Sequence, residues 1–264
     1  YQDTQPFYLH LESYSPHEFW DPPEDYYRLY MKSNYSGPRL IQAPGDASLL
    51  TPVELEHVNS LYAGMVTFAD ACIARFLEKV EQLGLLSNTV IVFTADHGTQ
   101  TGEHGEIHKH EGALRAPVTN VPLLVCLPGE NLGGRPVRGL VSHTDIVPTI
   151  LDLLGRPIPG RVTGKSLKDS LRSGQAPPRD FLITGWADHG SIRSLEYNYV
   201  GRWNPGDAYE QLYDLRKDPQ ELDNLLESNT AAVMPLIEDY RKLLRTYVED
   251  SWEITRGSLS QKRG

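Results

Sequence analysis

The sequence of 264 residues contains only two cysteines, Cys72 and Cys126. Two cysteines are too few for a disulfide framework, so an apolar core has to hold the chain together. Cys72 lies on the apolar face of a predicted helix and Cys126 in an apolar segment, and free cysteine in such surroundings behaves as a small hydrophobic residue. We therefore expect both thiols to be buried.

The chain also has little positive charge. Its 25 Lys and Arg residues stand against 35 Asp and Glu residues, which gives a formal net charge of −10. A nucleic-acid-binding surface needs a basic stripe, so we expect no nucleic-acid partner. An anionic ligand can bind such a protein only through a local group of cations or a metal ion.

Long hydrophobic runs are absent as well. No run of apolar residues approaches the about 18 that span a membrane as a helix, so we expect no membrane span. The sequence opens with Tyr1 instead of Met, a few residues before an apolar segment, so we expect the N-terminus to be a truncation point. Without its N-terminus the sequence carries no targeting information, so the cellular compartment stays open. The sequence does not indicate the oligomeric state.

Residues 51–84 carry the signals of one long helix. Thr51 is a suitable N-cap, and Glu54 completes a capping box with it. Apolar residues then recur at spacings of three and four up to Leu83, which places them on one face of the helix. Gly84 is a typical C-terminal stop.

Three short apolar segments predict strands: Pro6–Glu12, Val90–Phe93 and Val121–Leu127. The β-branched segment Val90–Phe93 is typical of a strand buried on both faces, as in a parallel sheet. Strands and helices in alternation predict the α/β class. We predict a partial mixed or parallel central sheet flanked by helices, in a domain formed by residues 1–165.

The character of the sequence changes after a segment rich in proline and glycine at residues 156–180. Short β-prone segments separated by turn residues follow between Phe181 and Asp214. An amphipathic pattern from Asn229 to Trp252 predicts a closing helix. We predict a smaller C-terminal domain at residues 166–264, in which a small antiparallel sheet packs with the terminal helix.

Asp96 and His97 stand directly after the segment Val90–Phe93. In open α/β sheets, ligands bind beyond the carboxyl ends of the strands. A carboxylate oxygen and an imidazole nitrogen are both ligands for divalent metals. Lys109 follows thirteen positions after Asp96, behind a loop rich in glycine and histidine. These residues indicate part of a metal-dependent site for an anionic substrate, although Asp and His after a strand also serve as turn formers and caps.

The same residues resemble a block of the sulfatase family in the alkaline phosphatase superfamily. Thr94-Ala-Asp-His-Gly98, Gly102-Glu-His-Gly105 and Lys109 match the family's Ser/Thr-x-Asp-His/Asn-Gly, Gly-Glu-His-Gly and substrate lysine. Three further blocks of the sequence resemble family blocks and follow in the family's order: Ser15–Pro23, Val141–Leu151 and Leu212–Leu225. The resemblance therefore extends over most of the chain.

The resemblance implies a role for each matching residue. Asp96 and His97 would bind a divalent metal, usually Ca²⁺, with Mn²⁺ or Zn²⁺ as alternatives. Lys109 would contact a substrate oxyanion, and His17 would act at the scissile ester oxygen as hydrogen-bond donor or general acid. The alternatives are a solvated surface lysine at position 109 and a loop histidine packed against Phe19 and Trp20.

For three other residues of the matching blocks we expect structural roles. For Glu103 and His104 we expect structural roles instead of direct chemistry. His143 precedes a predicted helix, so we expect it to cap or pack there.

The family's nucleophile, a cysteine in Cys-x-Pro-x-Arg that becomes formylglycine, has no counterpart in the chain. Cys126-Leu-Pro-Gly-Glu130 has Glu130 where arginine is required, and Cys72-Ile-Ala-Arg-Phe76 fails as well. We therefore expect formylglycine upstream of Tyr1 and little activity from this chain alone. The predicted function is hydrolysis of a small-molecule or carbohydrate sulfate ester. The alternatives are a phosphate or phosphonate ester hydrolase of the same superfamily and a non-catalytic binding domain.

Overall fold

The computed structural model of the protein describes residues 6–32, 35–130, 133–203, 209–228 and 230–260, with backbone only at 230 and 251–260. The chain forms two units. The first unit contains the described residues up to Ser87 together with Gln100–His108. The second contains Asn88–Thr99 and the described residues from Lys109 onward. The predicted division into residues 1–165 and 166–264 stays a prediction.

The α-helices of the described residues are α1 Glu24–Arg28, α2 Pro52–Gln82, α3 Ala116–Thr119, α4 Ile146–Leu153, α5 Lys168–Ser173, α6 Leu225–Ser228 and α7 Thr230–Ser260. Short 3₁₀ helices lie at Ala47–Leu49, Leu85–Asn88 and His143–Asp145. The strands are β1 Ile91–Thr94, β2 Gln100–Thr101, β3 Ile107–His108, β4 Leu123–Cys126, β5 Leu182–Trp186, β6 His189–Arg193, β7 Tyr197–Arg202 and β8 Glu210–Asp214.

The capping box predicted at the start of α2 is confirmed. The Thr51 hydroxyl accepts from the Glu54 backbone N–H at 3.3 Å, and the Glu54 carboxylate accepts from the Thr51 backbone N–H at 2.8 Å. The first half of α2 supplies core residues to the first unit, where Val58 and Leu61 are fully buried with Trp20. The indole of Trp20 packs on the ring of Tyr62, with ring centroids 4.9 Å apart.

Among the described helices, α2 is long and apolar enough to cross a membrane. That criterion considers only length and composition, and the core helix of a water-soluble protein also satisfies it. Val58, Leu61 and Met65 on this helix belong to the core of the first unit. The expectation that the chain contains no membrane span stays a prediction.

Residues 6–12 do not form the predicted strand. The backbone there is irregular, and Tyr8 and Leu11 are 80% and 63% exposed. A strand becomes stable through pairing, and no described strand pairs with this segment. The apolar composition therefore indicates a preference for extended structure, but no described strand pairs with this segment.

β1 and β4 pair antiparallel, with Ile91 opposite Cys126. Phe93 and Leu124 on these strands are 40% and 58% exposed. The prediction of a parallel strand buried on both faces is therefore wrong for this pair. A β-branched apolar run predicts a strand, but the direction of its partner and the layers that cover it depend on distant segments.

Both cysteines are exposed, so the prediction of buried thiols is also wrong. Cys72 lies on the second half of α2, beyond the last buried residue of that helix, Met65. Cys126 ends β4 in the two-stranded sheet. An apolar pattern shows which face of an element prefers burial, but burial also requires an element that covers this face.

The predicted C-terminal antiparallel sheet is confirmed, with strand order β5-β6-β7-β8. The predicted helix follows as Thr230–Ser260, and position 229 of that prediction lies outside the described residues. One core cluster joins sheet and helix, with these fully or nearly buried members: Ile192, Tyr199, Leu212, Ile237, Tyr240 and Leu244. The α/β class, with helices and small antiparallel sheets, is therefore confirmed.

The connection at residues 156–180 is held by one buried carboxylate. Asp145 is fully buried and forms an ion pair with Arg179, and it accepts from the Lys165 backbone N–H at 2.7 Å. Burial acts to raise the pKa of Asp145, but hydrogen bonds from Arg179 and from the Lys165 and Ser142 backbones outweigh it and lower this pKa below its ordinary value. The proline-rich segment is thus tied to the start of α4.

We expect Asp145→Asn to lower the free energy of unfolding by about 3–5 kcal/mol, because it leaves the buried Arg179 without its counter-charge. The pKa of Asp145 is lower in the folded than in the unfolded state. Its stabilisation is therefore present above about pH 4 and is lost as the pH falls through the folded-state pKa.

Denaturant unfolding between pH 7 and pH 2 measures this effect, and the variant should lose less stability on acidification than the wild type. Glu130→Gln is the matched control, because its partner Arg172 is 47% exposed and such pairs contribute about 0–1 kcal/mol. Equal losses at pH 7 in the two variants would contradict the assignment.

Candidate metal and anion site

Asp96 and His97 stand at the end of β1, where the sequence predicts a metal site. His97 Nδ1 lies 2.8 Å from the Gly98 carbonyl oxygen, which only accepts, so Nδ1 carries the proton. The other ring nitrogen, Nε2, lies 3.3 Å from Asp96 Oδ2. A proton on Nε2 or a metal ion held by both atoms would satisfy this contact.

The donor set of this pair fits a divalent cation. At metal–ligand distances of about 2.0–2.4 Å, two adjacent ligand atoms lie about 3 Å apart. The contact of His97 Nδ1 with a backbone carbonyl is the arrangement that fixes the tautomer of metal-binding histidines. The Asp96 side chain is 85% exposed and therefore accessible to an ion.

Gly98 fixes the backbone next to this pair. Its N–H donates to the Val118 carbonyl of α3 at 2.8 Å. A Cβ at position 98 would lie 2.0 Å from the Pro117 carbonyl oxygen, so only glycine allows this approach. The glycine after Asp-His is thus required by α3.

Glu221 in turn holds the start of α3. This residue is fully buried, and its carboxylate accepts from the Ala116 backbone N–H at 2.6 Å. It also accepts from Asn198 Nδ2 at 2.6 Å and from Arg193 Nη1 at 2.8 Å. The sequence places Glu221 in a C-terminal family block but indicates no role for it. Its contact with Ala116 crosses 105 positions, which no local pattern could reveal.

His143 has a contact that the sequence did not indicate. The helix start is capped by Ser142, whose side chain accepts from the Thr144 N–H. The imidazole Nε2 of His143 lies 3.2 Å from the Thr94 hydroxyl at the end of β1. His143 therefore contacts Thr94, which lies two positions before Asp96 in the sequence.

Lys109 directly follows β3 and belongs to the second unit, as Asp96 and His97 do. It is half-buried. Its role at a substrate oxyanion stays a prediction.

The loop between β2 and β3 is braced by its own side chains. Glu103 accepts from the Thr101 N–H at 2.8 Å and from its hydroxyl at 2.7 Å. Burial acts to raise the pKa of Glu103, but the Thr101 hydrogen bonds outweigh it and lower this pKa. His104 Nδ1 lies 3.0 Å from Oε1 of the fully buried Gln100. These contacts agree with the structural roles expected for Glu103 and His104.

His17 belongs to the first unit and lies in a turn. Its Nδ1 lies 2.8 Å from the Glu18 carbonyl oxygen and 2.9 Å from Glu18 Oε2, and its ring stands 5.8 Å from that of Tyr14. Both oxygens are acceptors, so Nδ1 carries a proton. The second carboxylate oxygen of Glu18 lies 3.3 Å from His108 Nδ1. The Glu18 carboxylate therefore lies between the two imidazoles, although His108 Nδ1 lacks the geometry of a hydrogen bond to it.

The comparisons with known proteins identify the family of the chain. A model of the sulfatase family matches residues 1–156, and a model of the C-terminal region of N-sulphoglucosamine sulphohydrolase matches residues 102–249. The first match covers more than half of the chain and includes Asp96, His97 and Lys109. The chain therefore belongs to the sulfatase family, and the resemblance found in the sequence is confirmed.

Particular relatives differ in what they act on. The arylsulfatase of Clostridium perfringens is 29% identical over 269 residues, which cover 91% of this chain and 53% of the relative. BT4656, solved in complex with its substrate D-glucosamine-2-N,6-O-disulfate, has a TM-score of 0.62 at 26% identity, covering 73% of this chain and 42% of that one. The phosphonate monoester hydrolase of Agrobacterium radiobacter has a TM-score of 0.72 at 24% identity, and the match covers 93% of this chain and 58% of that one. At this identity the match shows a similar fold. The chain spans about half the length of the curated relatives it matches.

We expect Gly98→Ala to destabilise the protein by about 1–3 kcal/mol and to weaken divalent-metal binding, because the new Cβ forces the backbone beside Asp96 away from α3. Denaturant unfolding and calorimetric titration with Ca²⁺ measure the two effects. Gly160→Ala is the control, since its Cβ would meet no heavy atom within 4 Å. Unchanged metal affinity in Gly98→Ala would show that the pair does not depend on this close approach.

Proposed function

We propose that the whole protein hydrolyses a sulfate ester and that Asp96 and His97 hold the divalent metal of this reaction. The observation that carries the proposal is the approach of Asp96 Oδ2 to His97 Nε2 at 3.3 Å, inside the segment matched to the sulfatase family. A bound divalent ion supplies positive charge for the developing oxyanion. The two side chains would be part of its ligand set.

For the metal we propose Ca²⁺, the ion that the family resemblance implies. The carboxylate of Asp96 is a suitable hard ligand for it. The imidazole of His97 is the feature that would favour Mn²⁺ or Zn²⁺ instead, because nitrogen ligands suit transition metals better. Titration of the same protein with the three ions separates these choices.

Lys109 and His17 are the proposed substrate-directed residues. The Lys109 ammonium would bind the sulfate oxygens as a compact positive charge. His17 keeps the proton on Nδ1 through Glu18, so its Nε2 is the atom that would donate a proton to the departing alcohol. The Glu18 carboxylate would stabilise the imidazolium form that this donation requires.

For the nucleophile we propose a formylglycine encoded upstream of Tyr1. The chain itself contains no Cys-x-Pro-x-Arg, and Cys126 is followed by Glu130 at the position of the arginine. For the substrate we propose a carbohydrate sulfate ester. The support is the relative BT4656, whose substrate is a disulfated glucosamine. Mass spectrometry of the whole gene product tests the formylglycine directly.

We expect the whole protein to cleave 4-nitrophenyl sulfate in a metal-dependent manner, with chelation removing the activity and added metal restoring it. Lys109→Ala should lower kcat/KM by about 10²–10³, the effect of removing one preorganised oxyanion contact. Asp96→Asn should raise the metal concentration that is needed for half-maximal activity.

Lys217→Ala is the matched control, because this lysine is 85% exposed and lies outside the predicted site. It should leave kcat/KM unchanged. Faster cleavage of a phosphonate monoester than of the sulfate ester would contradict the proposal and favour the phosphonate hydrolase alternative. A whole protein without hydrolase activity on either ester would favour the binding-domain alternative.

The isolated 264-residue chain should show no turnover of 4-nitrophenyl sulfate above the uncatalysed rate. The physical reason is that it carries metal ligands and an anion-binding lysine but no nucleophile in the required sequence context. A spectrophotometric assay with and without Ca²⁺ measures this rate. Robust metal-dependent hydrolysis by the chain alone would show that its nucleophile lies within residues 1–264.

A further inference from the structure

A group of potential metal ligands lies at the hairpin between β5 and β6, apart in sequence from Asp96 and His97. Ligand atoms of Glu111, Asp188 and His189 all lie within 4.8 Å of one another. We propose that these three residues form a divalent-metal site suited to Zn²⁺. This proposal does not depend on the proposed hydrolase function.

His189 is the central observation. The residue is only 6% exposed, and its Nδ1 has no hydrogen-bond partner within the described part of the chain. Asp188 Oδ1 lies 2.7 Å from this nitrogen, although the two atoms lack the geometry of a hydrogen bond. A buried nitrogen without a partner costs about 1–3 kcal/mol. Coordination of one ion by both atoms would remove that cost.

The hairpin turn holds Asp188 and His189 in place. Ala187 has a left-handed backbone with φ 51°, a conformation that a non-glycine residue keeps only where its surroundings impose it. Trp203 imposes it, because its indole N–H donates to the Ala187 carbonyl and its backbone N–H to the Asp188 carbonyl, each at 2.9 Å. The two ligands therefore stand on a supported turn.

Tyr209 links Glu111 to this hairpin. Its ring packs edge-on against His189, with centroids 4.9 Å apart, and its hydroxyl donates to the Gly112 carbonyl at 3.1 Å. A Cβ at position 112 would lie 2.4 Å from the Tyr209 hydroxyl, so a glycine next to Glu111 permits the contact. One side chain thus positions residues almost eighty positions apart in the sequence.

The charges of the group suit a dication. Glu111 and Asp188 carry two negative charges, and Arg202 Nε lies 3.4 Å from Asp188 Oδ2, the oxygen that does not face His189. Arg202 can therefore orient the carboxylate while Oδ1 binds the ion, as outer groups do around metal sites. One imidazole nitrogen and two carboxylate oxygens form a ligand set that Zn²⁺ accepts, with a fourth position open.

Equilibrium dialysis with ZnCl₂, followed by metal analysis of the protein, tests the proposal in the 264-residue chain. The double variant Asp96→Asn/His97→Gln removes the other predicted ligands and should retain one zinc per chain. Adding Glu111→Gln or Asp188→Asn to it should weaken zinc binding at least tenfold. Both side chains are exposed, so these variants should fold. Asp180→Asn, at another exposed carboxylate, is the control and should bind zinc as before.

A second readout is independent of dialysis. Zinc should raise the Tm of the double variant, because a ligand that binds only the folded state stabilises it, and adding Glu111→Gln should reduce this rise at the same zinc concentration. The proposal is overturned if Glu111→Gln and Asp188→Asn both keep the affinity of their parent. It is also overturned if zinc binding disappears with Asp96→Asn/His97→Gln alone.

Discussion

The buried carboxylate of Glu221 is the contact on which the arrangement around the candidate site depends. A fully buried negative charge is tolerated only where donors surround it, and here Ala116, Asn198 and Arg193 provide them. Two of these donors belong to the C-terminal sheet, and the third is the first residue of α3. The same helix accepts the N–H of Gly98. The C-terminal sheet thereby stabilises the backbone that follows Asp96 and His97.

The two groups of proposed metal ligands follow one physical rule by different routes. At His97 a backbone carbonyl determines which nitrogen carries the proton, and the other nitrogen then faces a carboxylate oxygen. At His189 burial removes water as a partner and leaves a nitrogen beside Asp188. In each proposed arrangement one cation would satisfy both the imidazole nitrogen and the carboxylate oxygen. The first lies in a family motif, whereas the second has no signature in the sequence.

Much of the fold was predictable where the governing interactions are local. The capping box of Thr51 and Glu54 involves residues three positions apart, so the sequence identifies the start of α2. The four short strands after residue 181 carry their own turn residues, and their antiparallel order follows from short connections. The burial of strands was not predictable in the same way. Phe93 has the composition of a core residue and is nevertheless 40% exposed.

The sequence by itself determined the order of Asp96, His97 and Lys109 in the family motif and the membership of the sulfatase family that follows from it. Only the tertiary structure decided that β1 pairs antiparallel with β4, that Glu221 supports α3, and that Asp188 meets Glu111. The physical reason is the separation along the sequence of the residues that interact. Spacing and composition report interactions within a few turns of chain, whereas burial and the assembly of distant side chains depend on which segments the whole topology brings together.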